Sequence, residues 1–241
     1  MRFGPPALSG TTKRATRDNE ALDRASPLPV GPPHNVVLHT GGGWVGSRRK
    51  RVFDVVLAGG LLVVLSPVLG VVAIAIKLDS PGPVLFRQER VGYLGRPIRI
   101  IKFRTMRPDR RKRVGKPPGP ERRHVHKSTH DPRVTRLGRI LRRTCIDELP
   151  QLWNVLRGDL SLVGPRPELP EIVAQYETWQ HVRHTVKPGL TGWWQVNRDG
   201  QRLMHEQTEL DLLYLEKQSF LLDVQIVLRT VGVVIRGLGA F

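Results

Sequence analysis

The sequence has almost no cysteine, and this limits how its fold can be held together. Cys145 is the only cysteine among 241 residues, so no disulfide can form within the chain. Stability must come from a buried core, and a chain of this length can build one in a single domain. The start of the chain also lacks the apolar segment of a signal peptide. Residues 1–47 are rich in Gly, Pro, Ser, Thr and Arg, which predicts a disordered tail before a domain at 48–241.

Acidic residues are scarce relative to basic ones. The chain has 39 Lys and Arg against 21 Asp and Glu, a formal charge of +18, and residues 87–143 carry twenty basic side chains against four acidic ones. Such a block attracts the phosphates of nucleic acid, of anionic lipid headgroups or of a nucleotide substrate. The sequence contains no helix-turn-helix, zinc-finger, RRM or KH signature. A nucleic-acid-binding protein would also leave the long apolar run unexplained, so we predict no nucleic-acid partner.

One long apolar run, from Val52 to Ile76, contains a single charged residue, Asp54. As a straight helix it would measure about 37 Å, which is enough to span a bilayer. Ser66 and Pro67 interrupt it, because Pro67 removes a backbone donor and Ser66 is a good cap for a second helix.

Basic residues flank this run on both sides, with RRKR at 48–51 before it and Lys77, Arg87 and Arg90 after it. Positive residues prefer the cytoplasmic side of a membrane. A re-entrant helix-break-helix hairpin over 52–77 places both flanks on that side, whereas a proline-kinked span places only one there. The residues alone leave both arrangements open.

A basic region follows the apolar run. VLFRQERVG and RPIRIIKFRTM have the pattern of two short strands joined in a hairpin. Lys102 and Arg104 alternate with apolar residues, so we expect both cations on one strand face, either facing phosphate or solvated. After a basic loop at 107–130, residues 133–143, including Arg142, form a basic amphipathic segment that is typical of helices lying on an anionic surface.

Two adjacent carboxylates, Asp147 and Glu148, precede an apolar helical pattern that starts near Pro150. Adjacent residues on a helix point about 100° apart, so we expect the two side chains to have different partners. A helix N-terminus would lower their pKa values and keep both ionised. Helix capping and catalysis with metal binding both remain open for the pair. Farther on, two prolines limit the conformations of Arg166, which suits bidentate phosphate binding.

Four motifs together carry a resemblance: TCIDELPQLWNVLRGDLSLVGPRP at 144–167, KFRTM at 102–106, GPRPE at 164–168 and KPGLTGWWQVN at 187–197. In this order they resemble the bacterial sugar transferase family, the monotopic polyprenyl-phosphate phosphoglycosyl transferases that initiate exopolysaccharide, capsule and O-antigen synthesis. The resemblance extends from about residue 48 to the end of the chain. Cys145 stands where a serine is common, which removes no proposed catalytic group.

The resemblance implies an α+β fold: a monotopic membrane protein with a re-entrant hairpin broken at Ser66 and Pro67, amphipathic interfacial helices and a small β-hairpin. It implies an active site at the cytoplasmic face of the bacterial inner membrane. The reaction would pass a phospho-sugar from a UDP-sugar to undecaprenyl phosphate and release UMP. Asp147 would be the nucleophile, forming an aspartyl-phosphosugar intermediate, and Glu148 would bind Mg²⁺. The residues implied to bind substrate phosphates are Lys102, Arg104, Arg142, Arg166 and Gln195.

The resemblance does not specify the sugar, the polysaccharide or the oligomeric state, a homodimer included. A non-catalytic membrane scaffold would also explain the apolar run and the charge. It would leave Asp147, Glu148 and Arg166 without a role.

Overall fold

One long helix, two small sheets and several short helices make up residues 43–107, 133–197 and 207–236, which the computed structural model describes. The helices are α1 (Arg48–Asp79), α2 (Arg136–Arg143), α3 (Gln151–Arg157), α4 (Pro170–Val173), α5 (Trp193–Asn197), α6 (Thr208–Lys217) and α7 (Phe220–Ile235). The strands are β1 (Leu85–Val91), β2 (Pro97–Phe103), β3 (Ser161–Val163) and β4 (Gly189–Thr191). This mixture of helices and strands confirms the predicted α+β class.

The predicted β-hairpin is confirmed. β1 and β2 pair antiparallel, with Leu85 opposite Phe103 and Val91 opposite Pro97. β3 and β4 form a second, parallel pair. The main core lies between α1, β2, α3, β3, α6 and α7, and its fully buried members include Ala58, Ile100, Leu152, Val155, Leu160, Val163, Tyr214 and Ile226.

The predicted break at Ser66 and Pro67 is wrong as a statement about secondary structure, because α1 is helical through both residues. Pro67 cannot donate to the carbonyl of Val63, the partner that a helical N–H at this position would have. The Ser66 hydroxyl donates to that same carbonyl at 2.8 Å. The serine therefore does not cap a second helix. It satisfies the acceptor that the proline leaves free, so the helix continues.

α1 packs on the rest of the fold along one narrow stripe. Asp54, Ala58 and Ile76 are buried on this stripe, and Leu61, Leu62, Leu69, Val72 and Ala73 pack against the same neighbouring elements. The opposite surface exposes Val52, Val55, Val56, Val63, Val64, Val68, Val71, Ile74 and Leu78. Within the described ranges, α1 is the one helix long and apolar enough to cross a membrane.

Buried ion pairs anchor the N-terminal end of α1. Lys50 Nζ lies 2.8 Å from both Asp54 Oδ1 and Asp223 Oδ2, and all three side chains are almost fully buried. The Trp44 indole also donates to Asp223, and Val45 N donates to Gln218. Residues 43–47, predicted as part of a disordered tail, are therefore folded against α6 and α7. The rest of the predicted tail lies outside the described residues.

Arg104 anchors the C-terminal end of α1. Its guanidinium donates to the carbonyls of Ser80 (2.7 Å), Pro81 and Ile76 (3.4 Å). The helix ends at Asp79, and Ser80 N donates to the Ile76 carbonyl as its cap. The shorter Arg104 bonds reach Ser80 and Pro81, so the arginine fixes the chain that directly follows the helix. The phosphate-binding role predicted for Arg104 stays a prediction, and both terminal nitrogens of its guanidinium already contact these carbonyls. β2 ends at Phe103, and Arg104 N donates to Val84 O at 2.9 Å just beyond the strand.

Replacing Lys50 tests the N-terminal anchor. Lys50→Met should destabilise the protein by about 3 kcal/mol or more, because two buried carboxylates lose the cation between them. Thermal or denaturant unfolding in detergent measures this loss. Lys77→Met is the matched control, since Lys77 is exposed near the other end of α1. Equal stability of the two variants would contradict the anchor.

Candidate active site

Glu148 lies at the centre of a partly exposed ion cluster. Lys102 Nζ from β2 donates to Glu148 Oε1 at 2.7 Å. Arg166 donates to both carboxylate oxygens, at 2.8 and 3.2 Å, in a bidentate pair. Burial opposes ionisation of Glu148, but Arg166 and Lys102 outweigh it and hold the pKa of this carboxyl well below its usual range. Glu148 is therefore ionised.

The backbone around Arg166 is fixed by a close approach of two glycine-containing segments. Gly164 N donates to Thr191 O at 2.9 Å, and Gly189 N donates to Pro165 O at 2.8 Å. A side chain on Gly189 would lie 2.2 Å from Gly164 N, so a glycine is required there. Arg166 is thus held by β4 on one side and by its flanking prolines along the chain.

A fully buried arginine, Arg183, also fixes the backbone at Arg166. Its Nη2 donates to the Arg166 carbonyl and lies 2.7 Å from Asp211, and its Nη1 donates to the Tyr176 hydroxyl at 2.5 Å. Sequence reasoning missed Arg183 and Asp211 as part of this site. The two are 28 positions apart in the sequence and belong to no spacing pattern that would have paired them.

Asp147 has different surroundings from Glu148, as expected for adjacent residues. It is 8% exposed, and its Oδ1 makes no hydrogen bond with any residue of the described ranges. Burial, followed by the Glu148 charge, raises the pKa of Asp147 from its ordinary 3.8 to about 6, although Lys102, Arg142 and Arg166 oppose the shift. The prediction that a helix N-terminus lowers this pKa is wrong. The carboxylates occupy a separate 3₁₀ turn (Ile146–Glu148) that precedes the short helix α3.

The turn that carries both carboxylates begins at a strained residue. Cys145 has φ 54°, a left-handed conformation that is unfavourable for a residue with a side chain. This conformation separates α2 from the carboxylate turn and lets the chain reverse immediately after the basic helix. The surrounding contacts must hold it in place.

Two further residues predicted to bind substrate, Arg142 and Gln195, lie on α2 and α5. Arg142 Nε donates to Thr105 Oγ1 at 2.8 Å, and its charge acts on Asp147. Gln195 lies on α5 beside Gly192, and neither of its side-chain polar atoms, both buried, has a hydrogen-bond partner among the described residues. Its substrate-binding role stays a prediction. Most of the predicted basic loop at 107–130 lies outside the described residues.

The carboxylates fit a magnesium ion that is bound together with substrate phosphates. The described ranges contain no cluster of three or more His, Cys, Asp or Glu side chains. Mg²⁺ needs only one or two carboxylates when phosphates and water supply its other ligands. Glu148 is ionised. Its Oε1 accepts from both Lys102 and Arg166, but its Oε2 accepts only from Arg166 and keeps a second lone-pair direction. Asp147 Oδ1 is a buried acceptor without a partner among the described residues.

Comparison with known proteins gives consistent matches. The family model described as bacterial sugar transferase matches residues 45–237. UDP-glucose:undecaprenyl-phosphate glucose-1-phosphate transferase of Escherichia coli (strain K12) is 41% identical over 222 residues, 87% of this chain. The Caulobacter vibrioides protein of the same name is 43% identical over 227 residues, 85% of this chain.

A relative named for another sugar also matches. UDP-N-acetylgalactosamine-undecaprenyl-phosphate N-acetylgalactosaminephosphotransferase of Aeromonas hydrophila is 39% identical over 200 residues, 79% of this chain. The alignments cover 44% of the E. coli and A. hydrophila proteins and 78% of the C. vibrioides protein. The chain therefore spans less than half the length of two of these relatives.

The raised pKa of Asp147 predicts a stabilising substitution. At pH 8 the folded protein carries an ionised Asp147 whose burial costs stability. Asn has a similar shape but no charge, so it avoids this cost. The difference between 3.8 and about 6 corresponds to at most about 3 kcal/mol. Asp147→Asn should therefore be more stable than wild type above pH 6. The advantage should shrink as the pH falls from 6 and vanish below 3.8. Unfolding measured across this pH range tests the shift, and a constant difference between the two proteins would contradict it.

Proposed function

The chain belongs to the bacterial sugar transferase family, and on that premise we propose that it transfers a phospho-sugar from a UDP-sugar to undecaprenyl phosphate and releases UMP. The relatives' names give both the donor and the acceptor. The observation that carries the proposal is the contrast within the carboxylate pair. Asp147 has a buried oxygen with no partner in the described ranges, beside a Glu148 that two cations already neutralise.

In the first step, the Asp147 carboxylate attacks the phosphorus that bears the sugar. An oxygen–phosphorus bond forms to Asp147, the bond to the UMP oxygen breaks, and UMP leaves with that electron pair. Lys102, Arg142 and Arg166 reduce the repulsion between the carboxylate and the diphosphate. A pKa of about 6 suits this role, because Asp147 is mostly ionised at neutral pH yet remains more basic than an ordinary aspartate.

In the second step, a phosphate oxygen of undecaprenyl phosphate attacks the same phosphorus and expels the Asp147 carboxylate. The product is a polyprenyl-diphosphate-sugar, and the enzyme returns to its starting state. Glu148, with Asp147 beside it, would hold Mg²⁺, which supplies positive charge for the phosphate oxygens. Arg166 and Lys102 would then share their donors between Glu148 and the phosphates.

The position of α1 supports a monotopic placement. Arg51 near its start donates to α3 carbonyls, and Arg104 after β2 holds its end. α3 and β2 are themselves joined, because Asn154 bonds to Ile101 N and Arg99 O. Both ends of α1 are thus fixed to the same part of the fold. If α1 spanned the membrane, a hydrocarbon layer about 30 Å thick would lie between its two ends and would break these contacts.

We therefore propose that α1, as one continuous helix, has both ends on the same face of the membrane, in place of a helix-break-helix hairpin. The exposed apolar side of α1 would enter one leaflet, and both of its ends would stay at the cytoplasmic face of the inner membrane. The exposed basic residues Arg48, Arg49, Lys77 and Arg87 near the two ends favour that side. The active site then lies at the depth of the lipid phosphates.

Release of UMP tests the reaction. Purified protein with Mg²⁺, undecaprenyl phosphate and a panel of UDP-sugars should turn over with at least one of them.

Arg166→Lys keeps the charge but loses the bidentate fork, so kcat/KM should fall by about tenfold or more, a barrier increase of about 1.4 kcal/mol. Arg87→Lys, an exposed change on β1, is the control. Absence of UMP release with every UDP-sugar would favour the scaffold, and near-normal turnover of Arg166→Lys would contradict the role of the fork.

Cysteine labelling tests the topology. In a Cys145→Ser background, single cysteines at the exposed positions Arg48 and Pro83 flank α1. A membrane-impermeant maleimide should label both in inverted membrane vesicles and neither in intact spheroplasts, because both ends lie on the cytoplasmic side. Labelling of the two positions from opposite sides would show that α1 spans the membrane.

A further inference from the structure

A cavity of about 260 Å³ lies at the start of α1. Its polar and charged lining includes Ser47, Lys50, Arg51, Asp54, Tyr93 and Lys187. None of Lys102, Asp147, Glu148 or Arg166 lines it, so the cavity is distinct from the candidate active site. Three basic side chains, Lys50, Arg51 and Lys187, line it against one acidic side chain, Asp54.

The charge of one of these cations is already compensated, since Lys50 lies between Asp54 and Asp223. The charge of Arg51 is not. Arg51 donates to the carbonyls of Val155 and Leu156 at 2.6 and 2.7 Å, and no carboxylate of the described residues contacts it. Carbonyl groups satisfy its donors but leave its full positive charge.

Lys187 is the second uncompensated cation. It makes no hydrogen bond or ion pair with any residue in the part of the chain that the structure describes. Its Nζ lies 3.3 Å from the position that a side-chain carbon on Gly158 would occupy, and Arg51 Nη2 lies 3.4 Å from the same point. The two cations therefore converge over a residue that has no side chain and has φ 90°.

Two converging cations repel each other, and their repulsion is stronger where water is partly excluded. Burial, followed by the Arg51 charge, lowers the pKa of the Lys187 ammonium, although the more weakly acting Asp54 and Asp159 oppose the shift. The first turn of α1 adds to the positive potential, because Gly46 and Ser47 line the same cavity and the N-terminus of a 32-residue helix favours anions. A bound anion would offset the positive charges of Lys187 and Arg51 and the positive potential of the helix N-terminus.

We propose that this cavity binds a phosphate group between Lys187 and Arg51, supplied by an anionic lipid headgroup or by a free phosphate compound. The exposed residues Val52, Val55 and Val56 follow the cavity directly along α1. A headgroup source relies on the proposed membrane placement of α1. The anion site itself depends neither on that placement nor on the transfer reaction.

The reactivity of Lys187 towards an amine-acetylating reagent tests the site in the full-length wild-type protein. Mass spectrometry measures the acetylation rate of each lysine at fixed pH and ionic strength. One arm compares nanodiscs of phosphatidylglycerol with nanodiscs of phosphatidylcholine, and a second arm adds inorganic phosphate to protein in detergent. A bound phosphate should slow acetylation of Lys187 by about threefold or more at high occupancy, because it pairs with the ammonium and covers it. Lys217, exposed at the end of α6, is the internal reference.

The two arms separate the sources. Slowing by phosphatidylglycerol alone supports a lipid headgroup site, and slowing by inorganic phosphate supports a site open to free phosphate. The same ligand should raise the melting temperature of wild type and of Lys217→Gln but not of Lys187→Gln. An unchanged Lys187 rate in both arms would overturn the proposal, whether or not the protein releases UMP.

Discussion

The ion cluster of Glu148 with Arg166 and Lys102 is the interaction on which the candidate site depends. It joins β2, the carboxylate turn and the segment around Arg166 through charged hydrogen bonds of 2.7 to 3.2 Å. Both cations bind Glu148, whereas Asp147 Oδ1 has no partner among the described residues, and burial followed by the Glu148 charge raises the pKa of Asp147 to about 6. Two neighbouring carboxylates thus acquire different properties from their environments, as the proposed roles of nucleophile and metal ligand require.

The fixing of α1 at both ends is the basis for the proposed membrane placement of this site. The Lys50 ion pairs and the Arg104 hydrogen bonds attach an otherwise exposed apolar helix to the same body that holds the carboxylates. A long apolar segment of this kind could equally belong to a spanning helix if length alone were considered. The buried polar contacts at its two ends are what favour a placement within one leaflet, close to a lipid phosphate.

Local patterns in the sequence predicted local structure well. Alternating residues predicted the β1–β2 hairpin, and four motifs led to the family. The errors arose where tertiary contacts decide the outcome. The Ser66 hydroxyl bonds to the carbonyl that Pro67 leaves free, so the helix continues, and burial rather than a helix dipole sets the pKa of Asp147. The pairing of Arg183 with Asp211 has no sequence signal, because the fold alone brings them together.

The central claim is that Asp147 carries the phospho-sugar, and trapping that adduct tests it most directly. Wild-type protein would be incubated with Mg²⁺ and a UDP-sugar that it accepts, without undecaprenyl phosphate, and then analysed by peptide mass spectrometry. We expect a phospho-sugar on Asp147, together with no more than one UMP per protein, and loss of the adduct when undecaprenyl phosphate is added. An adduct on Cys145 or Glu148, or an adduct that persists in Asp147→Asn, would contradict the account.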